Sequence, residues 1–149
     1  MNYKRALLFG LYVYLTSFII FGLLSVLPWF SISAGQEASM GLYLINWIVT
    51  IPLILLWAKW YFHQEEISVR NGFIIGLIAI LVGLFFDGVF YALTIAAGES
   101  TEIFDSMYTD WKFYVSILEV ILLTTYAGFE FDSTFTAVPK KSKKKRKKS

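Results

Sequence analysis

The chain lacks cysteine altogether and has only one histidine among its 149 residues. The absence of cysteine excludes a disulfide framework, a thiolate metal site and a cysteine nucleophile. The single histidine, His63, is followed by Glu65 and Glu66, but one imidazole makes a poor transition-metal set. We therefore expect a solvated loop at this point, with neither a metal site nor a cofactor.

Charge is also scarce, since only 16% of the residues are charged and 57% are hydrophobic. Such a composition is too apolar for a soluble domain of this length. It falls in the range of integral membrane proteins. The aromatic share of 19% suits a protein with two membrane interfaces to line.

Four long apolar segments organise the chain, over about residues 6–27, 42–62, 72–97 and 111–128. Each reaches or approaches the ~20 residues with which a helix crosses a bilayer, and none alternates as barrel strands do. The first segment is too long for the ~7–15 residues of a signal-peptide core, so we expect it to stay as an anchor. The sequence predicts an all-α bundle of four antiparallel transmembrane helices, running up-down-up-down.

Basic residues define the predicted threading of this bundle through the cell membrane. Lys4, Arg5, Lys59, Arg70 and the C-terminal tail all fall on one side if the chain crosses four times. The stretches "SISAGQEAS" and "GESTEIFDSMYTD" on the other side carry acids and no base. Because basic residues are retained inside, we expect both termini to be cytoplasmic.

Two acids fall within the predicted spans, Asp87 in the third and Glu119 in the fourth. Both lie ~12–15 Å below the outer boundary at ~1.5 Å per residue, so they could meet between neighbouring helices. A like-charged pair in low dielectric holds at least one proton, which predicts a proton or cation site. The alternative is structural, in which protonated carboxyls fix helix register. Polar side chains that could support either arrangement are Ser116, Tyr126, Tyr91 and Thr94.

The fourth span carries a polar face, and the third carries a face of small residues. At helical spacing, Lys112, Ser116 and Glu119 are followed by Tyr126 and Glu130, and this face is expected to point into the bundle. The small residues are predicted to let two helices pack closely; they are Gly72, Gly76, Ala79 and Gly83.

The last residues form a polybasic tail, predicted to be disordered over 133–149, beyond a four-helix domain at 1–132. We expect its charges to contact anionic lipid headgroups, in preference to binding RNA nonspecifically. The residues concerned are Lys140, Lys141, Lys143, Lys144, Lys145, Arg146, Lys147 and Lys148.

Three stretches give the chain a likeness to a known group: "YKRALLFG", "GFIIGLIAILVGLFFD" and "LLTTYAG". With them, most of residues 3–128 resembles a loose family of small four-span prokaryotic membrane proteins that has no assigned activity. The resemblance implies a fold and a membrane location, and it implies that Asp87 matches an acid in the family's third helix. Glu119 and the basic tail depart from the family's pattern.

The short connections between segments limit the function. They leave no room for a soluble domain, and the spans contain neither a nucleophile–base pair nor a histidine-rich metal set. We therefore expect no enzyme, but a membrane-embedded partner or structural factor that contacts a second copy or another membrane protein. The alternative is an oligomeric transporter or channel subunit that handles protons or cations through Asp87 and Glu119.

The threading gives the first testable prediction. A reporter that is active only outside the cytoplasm should be silent when fused after Ser149 and active when inserted near Glu37, because basic residues hold both termini inside. Reporter activity in cells checks this. The opposite pattern would contradict the threading.

Overall fold

A computed structural model describes residues 1–30 and 38–130 of the chain. Helices account for most of this part: α1 Tyr3–Ser25, α2 Met40–Phe62, α3 Val69–Ala96, α4 Glu102–Thr109 and α5 Trp111–Glu130. The described residues contain no β-strand. Of the five helices, α1, α2, α3 and α5 are long and apolar enough to cross a membrane. The all-α class and the four apolar spans predicted from the sequence are thus confirmed.

Each observed span lies within a few residues of its predicted segment, and the differences fall at polar helix ends. Helix α1 begins at Tyr3, before the apolar run, because the Asn2 side chain accepts hydrogen bonds from the backbone N–H groups of Lys4 and Arg5. Ser39 and Ser68 cap α2 and α3 in the same way. Helix α4 was not predicted, since its eight residues stand in a polar connection.

The four spans contact one another in a closed ring, in which α1 and α5 each pack against both α2 and α3. The buried residues of α1 and α3 all lie in the first half of each helix. Together with residues of α2 and α5 they form the packed end of the bundle, around Phe9, Tyr61, Ile75 and Ala127. At the opposite end the last halves of α1 and α3 contain no buried residue, whereas α2 and α5 bury Leu42, Tyr43 and Lys112 there.

Glycine brings α3 and α5 together at the packed end. A Cβ atom added to Gly72 would overlap the carbonyl oxygen of Thr124 and lie 3.0 Å from the Cα of Thr125. One added to Gly128 would lie 3.1 Å from the Cα of Gly72. Backbones this close require residues without side chains, as in other membrane helix pairs. Gly83 of the same stripe instead faces Tyr14 of α1.

Arg5 joins the beginning of α1 to the end of α2. Its Nη2 donates to the carbonyl oxygen of Trp60 at 2.8 Å, and its Nη1 donates to the Gln64 side chain. The guanidinium also lies over the Trp60 ring, 4.6 Å from its centroid. A cation at a helix C-terminus satisfies carbonyl groups that have no partner within the helix. The arginine therefore has a structural role in joining α1 to α2.

A pair of glycine substitutions on α3 tests the close contact with α5. Gly72→Ala should lower the free energy of unfolding by about 1–3 kcal/mol, because the added methyl group forces two backbones apart. Gly88→Ala is the matched control, since its Cβ meets nothing within 4 Å in the described part of the chain. It should leave the stability unchanged or raise it. Unfolding in mixed detergent micelles measures both, and equal effects would contradict the packing role.

Candidate functional site

A cavity of about 190 Å³ lies between the spans and extends from Val13 and Ala79 of the packed core toward the ends of α1 and α3. Its walls come from α1, α2, α3 and α5, with Met107 contributed by α4. Most of the lining is apolar or aromatic, as is usual for small-molecule sites. The apolar and aromatic lining residues include Val13, Phe18, Phe21, Ile80, Phe113 and Ile117. Asn46, Asp87 and Ser116 are among the polar groups that reach it.

Asp87 stands in this cavity as the acceptor for two tyrosine hydroxyl groups. Tyr14 of α1 donates to Oδ1 at 2.8 Å, and Tyr108 of α4 donates to Oδ2 at 2.9 Å. Burial, together with the hydrogen bond to Asp87, raises the pKa of Tyr108, so this phenol remains a donor. One carboxylate thus holds α1, α3 and α4 in fixed relation.

Glu119 lies in different surroundings, between α5 and α2. Its Oε1 accepts a hydrogen bond from Thr50 Oγ1 at 3.2 Å. One turn earlier on α5, Ser116 Oγ accepts from Trp47 Nε1 at 2.8 Å. Ser116 lines the cavity, whereas Glu119 does not belong to its lining. The polar groups on this part of α5 therefore join α5 to α2.

The structure does not bring Asp87 and Glu119 into one site, as the sequence had suggested. Gly76 of α3 packs against Ile121 of α5, and Gly72 packs against Thr124. This register sets Glu119 roughly level with residues 78–81 of α3, which leaves the two carboxylates ~10 Å apart along the bundle at ~1.5 Å per residue. Estimating depth from helix ends missed this offset, because it ignores how far neighbouring helices slide past one another.

The predicted supporting residues also lie elsewhere. The Tyr91 ring packs edge-on against Phe104, and Thr94 donates to the carbonyl oxygen of Phe90 in its own helix. Tyr126 is 48% exposed on the outer surface, and Glu130, the last residue of α5, is also exposed. Beyond Glu119 the inward face of α5 is formed by small residues, because α5 there lies close against the glycines of α3. These small residues are Thr124, Ala127 and Gly128.

Two further polar groups of this region have surroundings that the sequence analysis did not predict. Lys112, at the start of α5, forms a buried ion pair of 3.0 Å with Asp110. Its ammonium group lies 5.6 Å from the centre of the Tyr43 ring. Asn46 is 6% exposed, and its Oδ1 has no hydrogen-bond partner in the described part of the chain. The ion pair of Lys112 and the missing partner of Asn46 can be seen only in the tertiary structure. The sequence offers one sign of the second, an asparagine within an apolar run.

Some predicted contacts lie outside the described residues, namely those of the polybasic tail from Lys140 to Lys148. Within the described residues, no three histidine, aspartate or glutamate side chains cluster as metal ligands.

Comparisons with protein-family models, with curated proteins and with solved structures find no match for this chain. The class of protein therefore rests on its own physical features. Four apolar helices with polar side chains turned toward one another are compatible with a multi-pass membrane protein. The resemblance to a four-span family stays a prediction.

Double-mutant cycles test whether the two acids share a site. Asp87→Asn and Glu119→Gln should lower the free energy of unfolding additively, within about 0.5 kcal/mol, because they touch different partners. Asp87→Asn and Tyr108→Phe should couple by about 0.5 kcal/mol or more, because they remove the same hydrogen bond. Unfolding in mixed micelles measures both cycles. Strong coupling between the two acids would restore the single site.

Proposed function

We propose that this chain is a non-catalytic protein of the cell membrane, a membrane-embedded partner or structural factor. The observation that supports this most is the use of Asp87, whose two oxygens each accept a tyrosine hydroxyl from a different helix. Glu119, Ser116 and Thr16 likewise accept donors from α2. Polar groups that form hydrogen bonds between helices fix one arrangement of the bundle.

The threading belongs to the same proposal. The four spans run up and down in succession, each antiparallel to the next, with both termini in the cytoplasm. Contacts along α1 and α2 support this, since Arg5 meets the end of α2 and Phe21 packs against Tyr43 near its beginning. Ser68, just before α3, meets Gly128 near the end of α5. Short connections suit such neighbours.

The outer surface of the bundle faces lipid in this proposal. Every span carries large apolar side chains on its exposed face, among them Ile19, Ile48, Leu81 and Leu122. The polybasic tail then lies at anionic headgroups on the cytoplasmic side. The partner is a second copy of the chain or another membrane protein, bound within the bilayer. Because lipid is as apolar as these side chains, such a partner has to be selected by shape and close packing.

A second candidate function, proton or cation handling by an oligomer, is favoured by one observation. Asp87 lies in a cavity and forms no ion pair with any described residue. Intramembrane carboxylates of this kind mark ion pathways in many transporters. The two hydroxyl groups that hold the carboxylate argue for the structural role, because moving an ion through the position means breaking those bonds.

Ion flux into proteoliposomes separates the two candidates. The protein should give proton and cation fluxes equal to those of protein-free liposomes, and Asp87→Asn and Glu119→Gln should change nothing, because both acids serve as structural acceptors. A channel-forming peptide supplies the positive control for the vesicles. Flux that depends on the protein and falls with Asp87→Asn would overturn the structural function in favour of ion handling.

A further inference from the structure

The cavity wall includes an amide whose oxygen accepts no hydrogen bond from any described residue. Asn46 of α2 lines the cavity and is 6% exposed, and its Oδ1 has no donor within residues 1–30 and 38–130. A buried amide oxygen in this state costs free energy, which a donor from a bound molecule would recover. Any such molecule therefore carries an O–H or N–H group where it meets Asn46.

Asp87 supplies a second acceptor and a charge. Each of its oxygens takes one tyrosine donor, and a carboxylate oxygen can accept a further hydrogen bond. Both donors are neutral, and no described residue forms an ion pair with Asp87. A negative charge with neutral partners in an apolar cavity favours a cation. At this position a ligand would present an ammonium group.

The two acceptors stand at different levels of the bundle. Trp47 and Thr50 of α2 pair with Ser116 and Glu119 of α5, so Asn46 lies near the level of residue 115. The α3–α5 register sets Asp87 near the level of residue 111. The offset along the bundle is about one helical turn, or ~6 Å at ~1.5 Å per residue. A ligand that donates to both acceptors therefore carries its two donor groups at opposite ends of the molecule.

The cavity walls between these two acceptors indicate the size and chemistry of the central part of the ligand. Phe18, Phe21 and Phe113 contribute aromatic faces, and aliphatic side chains fill most of the remainder. The volume of about 190 Å³ exceeds the ~150 Å³ of a protein cavity that holds benzene. One aromatic ring with short polar ends is the size that fits. Cations also bind favourably against aromatic faces.

We propose that the cavity binds a small aromatic amine that carries a second hydrogen-bond donor, with its ammonium at Asp87 and the other donor at Asn46. Water can satisfy Asn46, but it leaves the charge of Asp87 without a counter-ion. A lipid acyl chain fits the walls and satisfies neither acceptor. The ligand site goes beyond the proposed function and is independent of it, because binding requires no ion flux and no partner protein.

A series of four probes separates the contributions. Tyramine carries the amine and the hydroxyl, phenethylamine only the amine, 4-ethylphenol only the hydroxyl, and ethylbenzene neither. Their binding is measured by equilibrium dialysis against the full chain in zwitterionic lipid nanodiscs, with empty nanodiscs subtracted for partition into lipid. We expect each donor to raise the affinity by about tenfold, the effect of one well-made hydrogen bond to a buried acceptor.

Substitutions then show which residue is responsible for each gain in affinity. Asp87→Asn should abolish the gain from the amine and leave the gain from the hydroxyl, whereas Asn46→Leu should do the reverse. Ser17→Leu, which fills the cavity from α1, should weaken all four probes. Glu119→Gln is the matched control, since this carboxyl lies outside the cavity lining. Circular dichroism and gel filtration establish that each variant is folded.

Three results would overturn the inference. Equal binding of all four probes to the wild-type protein would show partition into an apolar space only. Gains that persist in folded Asp87→Asn and Asn46→Leu would place the ligand elsewhere. A loss with Glu119→Gln equal to that with Asp87→Asn would show that the amine senses overall charge. Loss of binding here would leave the flux result unchanged, so the two proposals fail separately.

Discussion

The absence of water in a bilayer is the constraint on which this structure depends. A polar side chain in hydrocarbon has to find its partner in the protein, and a partner on another helix fixes how the two helices lie. Trp57 donates to Thr16 at 3.2 Å between α2 and α1, and Tyr14 donates to Asp87 between α1 and α3. With Thr50 and Glu119 between α2 and α5, three sides of the ring are joined in this way.

The fourth side of the ring, between α3 and α5, depends on close contact at glycines. This difference from the three hydrogen-bonded sides determines where the cavity lies. Gly72, Gly76 and Gly128 let backbones touch only at the packed end, where the first half of α3 meets the last half of α5. Toward the other end, larger side chains such as Phe113 and Leu84 line the cavity instead. Close contact at one end and bulky residues at the other leave space between the spans, and α4 lies beside that space because Tyr108 bonds to Asp87.

The sequence predicted those features that depend on neighbouring residues. Hydropathy locates the spans because crossing a membrane is a property of about 20 successive residues. The partners of Asp87 could not be predicted, since Tyr14 lies 73 positions away and meets it only through the packing of α1 on α3. Helix α4 was missed because it has only about two turns, and its charged and polar residues are equally typical of a loop. The depth of Glu119 was misjudged because helix register depends on Gly72 and Gly76, which a count from helix ends does not include.

Asp87 therefore contributes to this structure in two ways. Its two oxygens are satisfied by Tyr14 and Tyr108, which makes the carboxylate part of the framework. Hydroxyl groups, however, donate hydrogen bonds without supplying a positive charge, so the framework leaves the charge without a counter-ion among the described residues. Asp87 is half-buried beside an apolar cavity, where hydrogen bonds offset part of its lost hydration. The same carboxylate thus joins the helices in the proposed function and supplies the negative charge for the proposed ligand, beside Asn46 at the cavity.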